Sequence, residues 1–310
     1  MDDFPRIFQQ SLQKPLLLDV PLRAHSTFRI GGRARYFFEA EALPELAAAI
    51  GLCRRRAQPY YLIGGGSNLL FDDAGFQGLI IKNNCRGVAL REGEEVEVLS
   101  GNRLSGVVEF AAAKGLEGME FLAGIPGTLG GAVFGNAGAY GQAIGDLLQE
   151  AVLLDRQGEE IKVGADFFQF GYRRSSLRVS HVVLLRAVFG LRRGEEAGIR
   201  ARMAEYLAER RANHPPTGTA CAGCYFKNPV LPDGRKVSAG KMLDESGAKA
   251  VKWGDAAVSA KHGNFIVNEG QARAEDVLRL AEELKKRVRE RCGYELEEEV
   301  IFLPAIASMP

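Results

Sequence analysis

The sequence predicts an α+β protein of two domains, or three small ones. Its 310 residues are 46% hydrophobic and 25% charged, enough to bury about three quarters of the unfolded surface. Strand-like runs and helical stretches are interleaved in every third of the chain. Glycine, 37 residues in all, concentrates at the junctions between them.

The elements follow in order. Phe28 to Glu39 contains the aromatic run Tyr36-Phe37-Phe38 beyond a Gly31-Gly32 turn and reads as a strand. Leu43, Leu46, Ala47 and Ile50 have helical spacing, and Arg54-Arg55-Arg56 suits a helix C-terminus. Tyr60 to Ile63 is a short strand running into Gly64-Gly65-Gly66-Ser67-Asn68, and Leu79-Ile80-Ile81 is another. These make a compact βαβ-like unit ending near residue 86. Val96 to Leu99 reads as a strand, and Leu104 to Lys114 as a helix stopped by Gly115. Glu150–Asp155 and Glu160–Val163 flank a turn as a hairpin, and His181 to Phe189 is a buried strand. A second boundary falls near residue 195. Beyond it come a charged helix from about Ile199 to Asn213, stopped by Pro215-Pro216, and a long helix with Val277, Leu280, Ala281, Leu284 and Val288 on one face. Gly293 caps that helix, and Tyr294 to Leu303 reads as a closing strand.

Composition narrows the function classes. Lys and Arg number 40 against 39 Asp and Glu, so no broad basic field is offered to nucleic acid or an anionic membrane. No apolar run approaches the ~20 residues of a membrane span. The opening Met1-Asp2-Asp3, with only Pro15-Leu16-Leu17-Leu18 as an apolar patch, is unlike a signal peptide. Five cysteines in a chain this long do not form a disulfide framework. A cytoplasmic protein is the expectation.

Two glycine-rich stretches carry the first hint of chemistry. Gly64 to Asn68 follows a strand, where backbone N–H groups can cradle phosphate oxygens. It is no Rossmann turn, because it does not open a long helix, and it lacks the Gly-Lys-Ser/Thr end of a P-loop. From Gly124 to Gly141 nearly every residue is small, which lets a bulky ligand lie against main chain. A purely structural account of both stretches requires two unrelated backbone crossings. A dinucleotide cofactor spread over both explains them once.

Seven motifs then stand in order: His25-Ser26-Thr27-Phe28-Arg29-Ile30-Gly31-Gly32, Gly64–Asn68, Gly124–Gly141, Phe170-Gly171-Tyr172-Arg173-Arg174-Ser175, Gly223-Cys224-Tyr225-Phe226-Lys227-Asn228-Pro229, His262-Gly263-Asn264-Phe265-Ile266-Val267-Asn268 and Leu296-Glu297-Glu298-Glu299-Val300. In this pattern the chain resembles the UDP-N-acetylenolpyruvoylglucosamine reductase family, flavoproteins of peptidoglycan precursor synthesis. The spacing after Leu191 is similar to that of the family's shorter form.

The resemblance implies a two-part FAD-binding domain of the vanillyl-alcohol-oxidase/cresol-methylhydroxylase type, residues 1–86 and 87–195, and a substrate domain, residues 196–310. It implies FAD reduced by NADPH, a UDP-sugar substrate and a monomer with no obligatory protein partner. It assigns the cofactor to Gly64, Gly65, Gly66, Ser67, Asn68, Ile125, Pro126, Gly127, Thr128, Gly130, Gly131, Asn136 and Gly138. NADPH comes from the resemblance alone; no residue independently reads its 2′-phosphate.

The implied reaction delivers hydride to the methylene carbon of an enol ether, leaving charge on the carbon beside a carboxylate. Arg173 fits the stabiliser of that charge, since a guanidinium is always charged and grips carboxylates bidentately. Cys224 fits the proton donor; the family usually has serine here, and a thiol with ordinary pKa ~8.5 is a better acid than a hydroxyl. Glu299 fits the group that positions the carboxylate, although strand alternation alone does not choose among Glu297, Glu298 and Glu299. Tyr172, Lys227 and Asn228 are expected substrate contacts. Cys221 and Cys224 form a C-x-x-C pair, but no second ligand pair accompanies it and a metal site is not expected. Two other readings are a flavin oxidase acting on an alcohol or phenol, and a non-catalytic nucleotide-binding protein.

Overall fold

A computed structural model describes residues 3–231 and 233–306. Strand β1 (Leu17–Pro21), β2 (Arg33–Ala40), β3 (Tyr60–Ile63) and β5 (Phe76–Asn83) form a mixed sheet in the order β1-β2-β5-β3, with β4 (Leu69–Phe71) between β3 and β5 in sequence. β2 and β3 both run parallel to β5, and helix α2 (Leu43–Arg55) makes the crossover. Its Leu46, Ala49, Ile50 and Cys53 are buried, each apolar side chain removed from water at about 25 cal/mol per Å².

β6 (Val88–Leu90), β7 (Glu95–Leu99), β8 (Leu148–Leu154), β9 (Glu160–Gly164) and β10 (Val183–Gly190) make an antiparallel sheet in the order β9-β8-β10-β7-β6. Helix α3 (Leu104–Ala113) and the small-residue helix α4 (Leu129–Phe134) add Leu104, Val107, Val108, Leu129 and Val133 to the core of this sheet. Helix α5 (Glu196–Asn213) leads into the last third. There α6 (Ala239–Glu245) and α7 (Ala274–Cys292) pack with the antiparallel β11-β12-β13 sheet (Lys252–Trp253, Ala256–Val258, Ile266–Asn268). The five α7 positions read as apolar are all buried, and Gly293 closes the helix in the left-handed conformation at φ 73°.

Four elements differ from the sequence reading. Nothing was expected before residue 28, yet α1 (Phe4–Leu12) and β1 form. Phe4 and Phe8, four residues apart, pack on Tyr36 and Phe38 of β2 with ring centroids 5.5 and 5.0 Å apart, a tertiary contact that no local signal announces. The strand expected from residue 28 starts only at Arg33, because Gly31 is held at φ 133°. The closing strand shrinks to β14 (Ile301–Leu303), parallel to β4. Residues 297–300 instead lie along the 225–227 segment: Lys227 N–H donates to the Glu297 carbonyl, and Glu299 N–H to that of Tyr225. The last segment of the fold is thereby threaded back to the Gly64–Asn68 loop.

Candidate active site

The two glycine-rich stretches meet. A Cβ on Gly65 would come within 3.2 Å of Gly127 Cα, one on Gly64 within 2.2 Å of Thr128 Oγ1, and Ser67 Oγ donates to the Pro126 carbonyl at 3.2 Å. One crossing therefore accounts for glycine in both loops, where the sequence argument required two. Gly66, at φ 63°, presses against the His25 carbonyl, 2.0 Å from where a Cβ would sit. No residue with a side chain fits that corner without displacing backbone.

Crossing explains the glycines but leaves the N–H groups over. Those of Gly65, Gly66 and Ser67 find no hydrogen-bond acceptor among the described residues, and Gly66 is buried. Unpaired buried N–H groups are rare and costly, and successive ones facing the same side form an anion-binding nest. This is the feature a pyrophosphate would satisfy, so the residues present fit FAD. Other expected cofactor residues are engaged within the protein. The Asn136 side chain donates to the Gly171 carbonyl at 3.0 Å and accepts from Gly145 N–H at 3.0 Å. The Gly138 carbonyl accepts from Arg173 Nη1 at 3.1 Å, while a Cβ on Gly130 would meet Ser100. Ile125 packs at the rim of the central core, and Gly131 N–H donates to its helix cap, Thr128 Oγ1.

Beside the cradle, segments far apart in sequence bring Arg173, Cys224 and Glu299 together. Gly171 and Arg174 exchange backbone hydrogen bonds of 3.0 and 3.1 Å, closing a tight turn with Tyr172 and Arg173 at its corner. Arg173 sits there at φ 54°, a conformation that costs a side-chain-bearing residue about 1–2 kcal/mol. The strain aims the guanidinium inward: Nε lies 2.7 Å from Glu299 Oε1, with the two side chains only 24% and 16% exposed. The approach is off the N–H axis, so Nε–H makes no hydrogen bond among the described residues. Asn68 Nδ2 donates to the Glu299 carbonyl at 3.0 Å. Glu299 is thus pinned on one side by the cradle and on the other by Tyr225, the neighbour of Cys224. Extended geometry sorts the three glutamates, which sequence left open: Glu297 pairs with Lys227 at the surface, Glu298 with Lys285, and Glu299 with Arg173.

Burial pushes the Cys224 thiol up to about 12; Glu299 pushes in the same direction, and Arg173 and Arg210 oppose it. The thiol is therefore protonated throughout the neutral range. Burial likewise raises Glu299, with Arg173 holding it down. Expected substrate contacts line the same side. Tyr172 hydroxyl accepts from Asn228 N–H at 3.2 Å, while Asn228 Oδ1 caps the start of α6 through Ala239 N–H. Lys227 and Arg178 line a cavity of about 480 Å³ behind Glu299.

Sequence reasoning missed Arg210 in the last turn of α5. Its guanidinium lies over Tyr140 at 5.9 Å, burial lowers its pKa, and its Nε has no hydrogen-bond partner among the described residues. Its charge acts on the Cys224 thiol in the same direction as that of Arg173. Its helix reads as a solvated charged face, so the sequence carries no signal for it.

Comparison with known proteins identifies the family. A curated relative from Chlamydia muridarum, a UDP-N-acetylenolpyruvoylglucosamine reductase, is 39% identical over 92% of this chain and 93% of its own length. The chain belongs to the UDP-N-acetylenolpyruvoylglucosamine reductase family. The reductase of that name from Clostridium novyi is 36% identical over 91% of this chain and 90% of its own. The crystal structure of the reductase (MurB) from Thermus caldophilus superimposes with a TM-score of 0.75 at 34% identity, covering 93% of this chain and all of that one. An FAD binding domain family matches residues 34–164, and the C-terminal domain of UDP-N-acetylenolpyruvoylglucosamine reductase matches residues 215–303. The first range takes in the cradle and the second Cys224 and Glu299, while Arg173 lies between them.

Proposed function

We infer that the protein is an FAD-dependent oxidoreductase that reduces the enolpyruvyl group of UDP-N-acetylglucosamine enolpyruvate to UDP-N-acetylmuramate, a step of peptidoglycan precursor synthesis, with NADPH as reductant. One observation carries the reading: Glu299, ion-paired to Arg173 and bonded to the neighbour of Cys224, is tied by its own carbonyl to the glycine cradle. Cation, acid and carboxyl group therefore stand at the edge of the cofactor site.

Gly65, Gly66 and Ser67 would hold the pyrophosphate on their free N–H groups. Held there, FAD would supply the hydride chemistry for the substrate's methylene carbon, with NADPH as its reductant. Arg173 grips the substrate carboxylate and stabilises the charge that grows on the adjoining carbon. Cys224 gives that carbon its proton. A donor with a pKa near 12 remains loaded at neutral pH, and a carbanion beside a carboxylate is the stronger base, so transfer runs downhill. Glu299 holds Arg173 in register. A substrate carboxylate arriving beside it would favour its protonated form, which donates a hydrogen bond. Tyr172, Lys227 and Asn228 serve the UDP-sugar.

Three units are proposed: 1–86 and 87–195 for FAD, 196–310 for substrate. Support comes from the main sheet of each segment, built within its own bounds, although β14 pairs with β4 and apolar clusters reach across the boundaries. A monomer in the cytoplasm fits a site built from one chain and a nucleotide-sugar substrate. Among the described residues no helix is long and apolar enough to cross a membrane.

The test is a visible spectrum under anaerobic conditions. NADPH should bleach the purified yellow protein, and UDP-N-acetylglucosamine enolpyruvate should restore the colour with formation of UDP-N-acetylmuramate. Protein that stays colourless after refolding with FAD would overturn the reading.

A further inference from the structure

Arg178 is a cation that the chemistry above leaves unused. It ends the single helical turn Ser176–Arg178, five residues after Arg173. Its guanidinium lies 5.0 Å over the ring of Phe134, the last residue of α4, and it lines the cavity behind Glu299. Nε is sealed from solvent with no hydrogen-bond partner among the described residues, and none of the carboxylates there pairs with it. Many other arginines are spoken for: Arg54 donates to Tyr60 and two carbonyls, Arg202 pairs with Glu117 and Glu120, and Arg173 with Glu299.

Its neighbours say where the missing partner lies. Arg178 acts electrostatically on Tyr61 and on Glu299. Tyr61 belongs to β3, the strand that delivers Gly64–Ser67. Phe134 closes the helix that Thr128 opens, and Thr128 touches Gly64. The ring under Arg178 thus ends the helix that begins at the cradle, and Glu299, whose carbonyl accepts from Asn68 of the cradle, lines the same cavity as Arg178. Leaving a half-buried guanidinium without an acceptor is costly unless a ligand supplies one.

We propose that Arg178 is a cofactor-binding residue that donates to an anionic oxygen of bound FAD. The inference rests on the flavin reading. The shared chemistry is a guanidinium-to-anion hydrogen bond, and two parts of the dinucleotide offer the anion: the pyrophosphate, and the pyrimidine edge of the ring, which becomes negative on reduction.

The experiment prepares apoprotein of the wild type, Arg178→Met and Arg178→Lys. It measures FAD affinity by quenching of flavin fluorescence, then reduction potential and sulfite affinity on the reloaded proteins. A charge-assisted bond of this kind is worth roughly 10–100-fold. If the pyrophosphate is the partner, Arg178→Met weakens FAD binding by that factor while potential and sulfite affinity hold. If the ring is the partner, the potential falls and sulfite affinity drops by that factor. Arg178→Lys should recover part of either effect, and it alone decides the matter if the methionine variant does not fold. Both variants matching wild type within twofold in FAD affinity, potential and sulfite affinity would overturn the inference, as would a change confined to KM for the UDP-sugar. Failure of wild-type apoprotein to take up FAD would instead overturn the flavin reading itself.

Discussion

The cofactor cradle and the reacting cluster are neighbours built on opposite plans. The cradle is main chain: two short contiguous stretches cross, side chains are excluded by 2–3 Å clearances, and the working groups are amide N–H bonds. The cluster is side chain: an arginine on a strained turn, a half-buried thiol and a carboxyl group that meet only because residues 297–303 thread back past residues 225–227 to the cradle. A cradle of this kind tolerates little change in shape. The cluster tolerates no change in chemistry but some change in atoms.

Four substitutions would break or sharpen that contrast. The largest effect belongs to Cys224→Ala, which removes the proton donor. Stopped-flow measurement should show product formation slowed by about 10²–10⁴-fold while NADPH bleaches the flavin at the wild-type rate. Equal loss in both half-reactions would dissolve the distinction between the two regions. Arg173→Lys keeps a charge but loses the fork, so product formation should drop on the order of 10²-fold with FAD affinity unchanged.

The converse is Gly66→Ala. The left-handed conformation and the His25 carbonyl together should weaken FAD binding by about tenfold or more in a fluorescence titration, and normal affinity would show that the loop can yield. Cys224→Ser should stay within roughly tenfold of wild type. Because the thiol sits near 12, the product-forming rates of the two proteins should run parallel from pH 6 to 9. A break near the ordinary thiol value in wild type alone would mean the thiol is not shielded.

The smallest effect concerns stability. Burial, with Arg210, His262 and Lys261 adding to it, pushes His214 down to about 4. Below its ordinary ~6.5 the unfolded chain takes up a proton that the folded chain refuses. Stability is thus full above that value, declines as the pH falls toward 4, and levels off below. For this half-buried ring the loss is on the order of 1–2 kcal/mol. Urea melts of His214→Phe should show a smaller decline than wild type between pH 7 and 4.5.

Legibility followed the same division. Runs that act locally could be read: the glycine loops, the α7 apolar face with Gly293, the β8–β9 hairpin. The motif order also named Arg173 and Cys224, which the fold brings beside Glu299. What was lost depended on distant partners. Phe4 and Phe8 have helical spacing but no meaning until Tyr36 and Phe38 face them. Arg178 carries no signal and Arg210 falls in a helix that reads only as charged, because nothing within a few residues shows that their surroundings are partly dry. Glu299 stood apart from its two neighbours only by register against Tyr225 and Lys227.

The parallel pairing of β14 with β4 gives the protein a history during synthesis. The N-terminal stretches that cradle the flavin leave the ribosome long before Glu299 is made. Until then Arg173 has no carboxylate beside it, and β4, which leaves the cradle, has no partner strand. A chain cut before residue 297 would leave Asn68 Nδ2 and Arg173 without their shared partner, so the last residues made complete both regions at once.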